Sequence, residues 1–468
     1  MLLVALAMIA IIAMAAISID VVTLYLARME AQRSADSAAL AAARVISLSG
    51  LTGDPGNAAG TWTLVCGGSA SPATEAGMAA GKQNLVGAIT PTVDVRYYVV
   101  GNTPVADCSG LPAAFGVNPL VSVQVSRTNL PTFFSRIWGN AGNTVNATAA
   151  AEALNSSNSG NVGNGGTGTI KPVQPRCVKP WMVWNLDPLS PNDSCQDRTT
   201  CNPLVSQTDG HIMNQGVTLN GSVTSTGVIG ETFWLTPNCV HTGASCTTRS
   251  TSQEANYNNL SGYMQGPPSL LYLPGEAPSS APVAVPSCAS AGRPYERAIA
   301  GCDQSTVYQC GVQNGNTIDM SVNPGPGTDD TTNAVDCLIN EGDPTDTQPD
   351  GQDTLNSYAA PSKFPFQILA GTSNPLVAQG LTAGTSISSS NSVVSLPIID
   401  NTTAVPGSGT QQVTVVGFLQ VFINAADPNG NVNVTVLNVA GCSNGSGQTV
   451  GAAVTGSSPV PVRLITPP

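Results

Sequence analysis

Charge is scarce in this chain. Asp, Glu, Lys and Arg make up 9% of its 468 residues, against about 25% in an average soluble domain. No cluster of Lys and Arg occurs, which argues against a phosphate-tracking surface and against nucleic acid as a partner. Histidine is limited to His211 and His241. Neither has ligand-type spacing and no two cysteines form a CxxC pair, so a structural zinc site is disfavoured. No GxSxG elbow accompanies the histidines, which argues against a Ser–His–Asp hydrolase. No period of about 20–50 residues is visible, which excludes solenoids and propellers.

In place of charge the chain carries 48 Gly and 35 Pro, together with abundant Asn, Ser and Thr. Such a composition makes strands and long loops more readily than helices. With 41% hydrophobic residues it still buries a core, so global disorder is excluded. The net charge of −12 is diffuse and accounts for solubility rather than for a charged partner. Twelve cysteines stand singly in Gly/Asn/Ser-rich surroundings: Cys66, Cys108, Cys177, Cys195, Cys201, Cys239, Cys246, Cys288, Cys302, Cys310, Cys337 and Cys442. They are expected to form disulfides in an oxidising compartment, with a connectivity that sequence does not determine.

The N-terminus supplies the long hydrophobic run. Residues 1–17 contain no charged and no strongly polar side chain, and as a helix 1–19 reaches about 28 Å, close to a hydrocarbon core. Apolar character resumes after Asp20, so the span can also slide to 5–26, which places Asp20 at depth. A cleaved signal peptide competes with a retained anchor. The anchor is favoured because no Lys or Arg precedes the run and the helical pattern continues past it. Arg28, Arg33 and Arg44 follow the span and by the positive-inside rule alone would put the C-terminal side in the cytoplasm. The twelve cysteines say the opposite and carry more weight. The missing basic flank then implies a start upstream of Met1.

Residues 20–48 extend the helix. One stripe runs through Leu24, Ala27, Ala31, Ala35 (or Ser34), Ala38, Ala42 and Val45 at steps of three and four. Its small side chains allow a helix or sheet to approach closely, and Ser49, Gly50 and Gly53 end it. A short helix is expected over 74–86, strands over 93–100 and 120–126, an amphipathic turn over 131–138, and a strand or Ala-rich edge over 145–153. Residues 155–169 (NSSNSGNVGNGGTGT) are a flexible linker. Residues 176–310 look long and irregular, with a strand-like piece at 216–223, and 322–353 look loop-like and acidic. Strands return over 392–399, 412–424 and 431–439, the last two joined by a turn at Asp427-Pro428-Asn429-Gly430.

Two stretches carry a family resemblance. The first is 19–43, with Asp20 after the apolar run, Leu24-Tyr25, Arg28, Gln32 and then Ala35-Asp36-Ser37-Ala38-Ala39-Leu40-Ala41. The second is Val121-Ser122-Val123-Gln124-Val125-Ser126-Arg127, followed by Pro131-Thr132-Phe133-Phe134, 143–146 and 149–152. They resemble the N-terminal segment and the closing strands of TadE/TadG-like assembly proteins of the Flp (tight-adherence) pilus, over the first third of the chain. The resemblance implies a membrane anchor and an extracytoplasmic compartment. Some longer relatives carry a von Willebrand A domain with a DxSxS metal motif. The nearest match here, Asp319-Met320-Ser321-Val322-Asn323, lacks the second Ser and sits in a Gly/Asn-rich context, so it is not expected to hold metal.

The expected fold is α+β: a transmembrane and extended helix (1–48), a small membrane-proximal α+β domain (49–154), a linker (155–175) and a larger, mainly-β, disulfide-bearing ectodomain (176–468). The candidate assembly residues are Asp20, Ala31, Ala35, Asp36 and Ala38. Asp20 either pairs with a cation of a neighbouring subunit or simply ends the span. Arg33 and Asp36 are spaced to pair on the helix surface. Asp343, Asp346, Asp350 and Asp353 form an acidic loop in which calcium is the minority reading, because the EF-hand spacing is missing. No cofactor and no catalytic residue is assigned. The expected function is structural: a minor subunit or assembly component of a Tad/Flp-type pilus or related system in the bacterial inner membrane. Its expected partners are the bilayer and other pilus or envelope proteins. The alternative is an anchored adhesin-like binding module, and a secreted hydrolase built on His211 or His241 is a third class.

Overall fold

The structure is a computed structural model. It describes residues 2–52, 62–132, 134, 142–153, 173–175, 177–189, 202–207, 210–214, 216–217, 227–237, 269–275, 294–302, 308, 310, 316–319, 322, 331–341, 351–356, 367–387, 389–400, 410–427, 430–442, 454–456, 460 and 462–468. The chain divides into two compact units. The first comprises Met1–Ile46, Trp62–Ala153 and Val462–Pro468, and the second Ser47–Thr61 and Leu154–Pro461.

The first unit begins with α1 (Leu2–Leu48), an unbroken helix of 47 residues. It contains no Gly and no Pro, and the Ala, Leu and Met that fill it are strong helix formers. Then come α2 (Thr63–Cys66), α3 (Pro72–Gln83), β1 (Thr92–Tyr98), a 3₁₀ turn at Cys108–Gly110, α4 (Ala114–Val117), β2 (Leu120–Leu130) and β3 (Asn143–Ala153). α3 covers most of the stretch expected at 74–86 but starts two residues earlier, where Pro72 fits the first helical turn.

The second unit holds β4 (Val173–Pro175), β5 (Trp181–Trp184), β6 (Thr232–Pro237), β7 (Ser269–Pro274), α5 (Pro294–Ala300), β8 (Thr317–Asp319) and α6 (Thr331–Ile339). It continues with β9 (Thr354–Asn356), β10 (Gln367–Leu369), α7 (Pro375–Ala378), β11 (Ser386–Ile387), β12 (Val393–Ile399), β13 (Thr410–Gln412), β14 (Val415–Ala426), β15 (Val432–Gly441) and β16 (Val454–Gly456). The final strand, β17 (Val462–Ile465), belongs to the first unit.

In the first unit the sheet order is β1-β2-β3-β17, antiparallel throughout. The register places Val93, Val95 and Tyr97 beside Val125, Val123 and Val121, and these beside Ala147, Ala149 and Ala151. All nine are buried, the alternation expected of a sheet with one face on a core. β17 pairs Val462 with Ala153 and Ile465 with Ala150. An Arg463–Glu152 ion pair fastens it, and Ile465 packs on Tyr98, Leu120 and Ala150. The C-terminal residues, grouped by sequence with 176–468, therefore complete the membrane-proximal sheet. A disulfide joins Cys66 to Cys108. Trp62 beside it donates from Nε1 to the Cys108 carbonyl at 3.3 Å and stacks edge-on with Phe115.

The second unit is built on a closed barrel, β12-β14-β15-β6-β7-β5. Three of its strands and α5 lie in the stretch 176–310 that looks irregular, and α6 lies within 322–353, which looks like loop. The misreading has a physical cause: these elements are short, and their burial comes from long-range packing rather than from periodicity. β14 and β15 are buried along nearly their whole length. Of the turn expected between them Asp427 and Gly430 are described, and Pro428 and Asn429 lie outside the described residues. The Asp427 carboxylate accepts from the Asn431 backbone N–H at 3.0 Å and from Asn431 Nδ2 at 2.8 Å, and Gly430 adopts φ +79°. Disulfides link Cys177 to Cys302 and Cys310 to Cys442, and Cys337 is also disulfide-bonded. Cys195, Cys201, Cys239, Cys246 and Cys288 lie outside the described residues. The two ends of the unit meet as well, since β4 pairs in parallel with β16.

A buried polar cluster ties α5 and α6 to the barrel. Trp181 Nε1 donates to the Tyr295 hydroxyl at 3.0 Å, Tyr295 and Thr331 share a hydrogen bond at 3.3 Å, and the Tyr272 hydroxyl donates to the Gly430 carbonyl at 3.1 Å. Burial pushes both tyrosines up from the ordinary phenol range. Near Cys177, the Lys179 ammonium donates to the carbonyls of Ile299 at 2.5 Å and Gly301 at 2.7 Å. It thereby caps the C-terminal end of α5, where cations are favoured.

Burial pulls Lys179 down from 10.5 to about 7. The unfolded chain then holds a proton that the folded chain has released between pH of about 7 and 10. Stability against urea is therefore expected to rise as the pH is raised from 7 to 9, below the range where the tyrosines ionise. Lys179→Met is expected to flatten that rise. A denaturation midpoint that falls over the same interval would contradict the assignment.

Candidate functional site

The candidate site is α1 and what covers it. At 100° per residue, Asp20, Leu24, Ala27, Ala31, Ala38 and Ala42 fall on one side of the helix. Ala31, Ala35, Ala38 and Ala42 are each 0% exposed. α3 runs antiparallel along this side. A Cβ on Gly77 would stand 3.2 Å from Ala42 Cβ and 3.3 Å from the Ala38 carbonyl, and one on Gly81 would stand 3.3 Å from Ala38 Cβ. Gly77 and Gly81, four apart, thus face Ala38 and Ala42, also four apart, a pairing of small residues that brings two helix backbones together. The same glycine face also rests on β1, where these two Cβ positions would meet Val95 and Val93 at 3.0 and 2.8 Å. Ser34 Oγ donates to the Gly81 carbonyl at 2.8 Å, and Asn84 Nδ2 to Ser37 Oγ at 2.9 Å.

The alanine stripe is therefore consumed by its own chain. Ala31, Ala35 and Ala38, expected to meet other pilus or membrane components, have no surface left for them. The signal that identifies their partner was in the sequence: Gly77-Met78-Ala79-Ala80-Gly81 repeats the small-residue spacing of α1, but a Gly/Ala-rich context hid it.

Asp20 does not end the helix. It lies at the N-terminal end of the stripe, is 7% exposed, and accepts a hydrogen bond at 3.1 Å from the backbone N–H of Phe134. The two stretches that carry the family resemblance meet here, one supplying the carboxylate and the other the amide. Most of the stretch expected as an amphipathic turn at 131–138 lies outside the described residues. Asp36 accepts from Gln32 Nε2 at 2.8 Å, one turn back. This replaces the Arg33–Asp36 pair expected from spacing, because Gln32 occupies the i−4 position. Glu30 accepts the Gly87 N–H at 2.7 Å. Gly87 and Ala88, at φ +55° and +61°, form the tip of a tight turn closed by Val86 and Ile89.

The remaining candidates are dispersed. Of the acidic loop, Asp353 is described, and its carboxylate accepts from Gly371 N–H at 2.9 Å, Asn374 Nδ2 at 2.7 Å and Ser390 Oγ at 2.5 Å. It organises the turns around β9–β11. Asp343, Asp346 and Asp350 lie outside the described residues. Asp319 ends β8, paired with Thr410, instead of lying in a loop. The His211 carbonyl accepts from Ser206 N–H at 2.8 Å in a tight connection, and His241 lies outside the described residues. Among the described residues no three His, Cys, Asp or Glu side chains come together in a way that would hold a metal ion.

The class of fold is thus a long N-terminal helix, apolar enough over Ile11–Leu48 to cross a membrane by length and composition, with a small α+β domain seated on its C-terminal half. Residues 1–45 match the family model of Flp pilus-assembly TadE/G-like proteins. No curated protein and no solved structure matches the chain.

Gly81→Val is expected to destabilise the first unit by about 1–3 kcal/mol through overpacking between α1 and β1. Gly110→Ala, where a Cβ meets nothing within 4 Å, should be neutral in the same thermal melt. Asp20→Ala removes the acceptor of the Phe134 amide, so hydrogen exchange at that amide should accelerate. Asp20→Asn keeps an acceptor oxygen and should largely preserve protection.

Proposed function

We propose that this protein is a membrane-anchored structural or assembly component, a minor subunit, of a Tad/Flp-type pilus or a related cell-surface system. α1 tethers it to the bacterial inner membrane as a single pass, and the remainder lies on the extracytoplasmic side. The observation that carries the reading is the coincidence of the family match over 1–45 with a helix that is exposed and apolar in its first part and clad by protein in its second. Disulfides in both units support the compartment, because such bonds do not persist in a reducing cytosol. They outweigh Arg28, Arg33 and Arg44 on the C-terminal side of the span.

The partners in this reading are the bilayer and other pilus or envelope proteins, met by surfaces other than the alanine stripe. The protein works without catalysis and without a cofactor. Its most perturbed groups support this: Lys179 caps a helix, while Tyr272 and Tyr295 bind core elements together.

A C-terminally tagged chain, followed through shearing and fractionation, tests the reading. Signal is expected in sheared filaments or in an envelope complex with pilus proteins, with a gel mobility that shifts on reduction. Envelope signal that never copurifies with pilus proteins would favour the adhesin-like alternative. Signal confined to the medium and shortened at the N-terminus would overturn the anchored-subunit reading.

A further inference from the structure

Past Asp20, α1 has two unlike sides. One carries Asp20, Ala27 and Ala31 under protein cover. The other carries Val22, Tyr25, Leu26 and Met29, all exposed, with Tyr25 at 64%. The same side carries the exposed Val4, Met8, Ile11 and Ile12 earlier in the helix, with the exposed Ser18 between the two groups. We propose that the bilayer extends along this outer side as far as Met29, so that Asp20 sits at membrane depth but inside protein, and that the turn carrying Leu85 and Ile89 rests on the lipid headgroups. The inference rests on the anchored reading above and refines it by naming lipid as the occupant of this face.

Three observations select lipid. First, the polar groups of this stretch are satisfied without water. Asp20 accepts from Phe134 N–H, and Thr23 Oγ1 donates to the Ile19 carbonyl at 2.9 Å. An unsatisfied polar group in hydrocarbon costs several kcal/mol, and a carboxylate at depth is tolerated when it faces protein. Second, the first exposed charges come where a membrane surface would need them. Arg28, Glu30, Arg33 and Lys82 are exposed, with Tyr25 one turn below Arg28, a charged and aromatic belt of the kind found at an interface. Third, Gly87 holds the 86–89 turn against Glu30, which brings the exposed Leu85 and Ile89 to the level of that belt. From Asp20 to Met29 the helix rises about 14 Å. A hydrocarbon core of about 30 Å ending at Met29 then begins near residue 10, within the apolar run.

The test uses the full chain in vesicles of phosphatidylethanolamine with a minor share of phosphatidylglycerol. Single cysteines are introduced on the exposed side (Ile12→Cys, Val22→Cys, Leu26→Cys, Met29→Cys, Leu85→Cys, Ile89→Cys) and at Asp36→Cys. Each is labelled with an environment-sensitive fluorophore, the unsubstituted chain giving the labelling background. Nitroxide lipids then report depth. Labels at 12, 22 and 26 are expected to lose emission to a nitroxide in the acyl chain, those at 29, 85 and 89 to one at the headgroup, and the label at 36 to neither. If 12 is quenched while 22 and 26 behave like 36, the boundary lies at Asp20 and the proposal is overturned. It is equally overturned if 22 and 26 are shielded from both lipid and aqueous quenchers, which would mean that a protein covers the face. If 12 itself escapes every lipid nitroxide, the anchoring reading fails, and the proposal with it.

Discussion

The first unit depends on how near two helices can come. Gly77 and Gly81 of α3 offer no side chain to Ala38 and Ala42 of α1, and the γ-carbons of Val93 and Val95 crowd the same space that a Cβ would need. The glycine face of α3 thereby sits closely on α1 and β1 at once. Three aromatic residues of this unit, Trp62, Tyr97 and Phe115, gather beside the disulfide and meet edge to edge. Van der Waals contact between backbones substitutes for the burial of large side chains.

The same packing determines which parts of α1 remain for other molecules. A helix is amphipathic when one face meets water. Here the distinction between faces is one of side-chain size rather than of polarity, small residues toward the domain and large apolar ones away from it. Asp20 fits this scheme as the last member of the small face. Its carboxylate takes the place where a further alanine would stand and uses the space to bind an amide. The helix thus joins an exposed apolar segment and a protein core with no joint between them, and the boundary is drawn by the residues that cover it.

Legibility in the sequence followed the range of the interactions. The length of α1, its stripe, the first three strands of the first sheet and the β14–β15 hairpin could all be read, because each is written in local periodicity or turn chemistry. Asp20 falls on the stripe by the same arithmetic, but its partner lies at Phe134, 114 positions away. The barrel strands β5, β6 and β7 could not be read. They are four to six residues long, separated by Gly- and Pro-rich connections, and paired in an order, β15-β6-β7-β5-β12, that mixes parallel and antiparallel neighbours. The helix α6 was hidden by its acidic and polar flanks, although eight of its residues are buried. The Gly77/Gly81 pairing could have been found by asking what small-residue spacing would match that of α1.

The position of β17 has a temporal consequence. The strand that closes the sheet of the first unit is made of Val462, Arg463, Leu464 and Ile465, which leave the ribosome only after the whole of Leu154–Pro461. Until they arrive, β3 presents an open edge of unpaired backbone groups, and Glu152 lacks its arginine. The helix and the sheet packed on it must therefore wait, incomplete, while the 308 residues of Leu154–Pro461 are synthesised. A copy whose synthesis stops early keeps its helix and its first three strands but leaves that edge unsealed, and open edges are what proteolysis and aggregation exploit. Closure of this sheet thus reports that Leu154–Pro461 has been made.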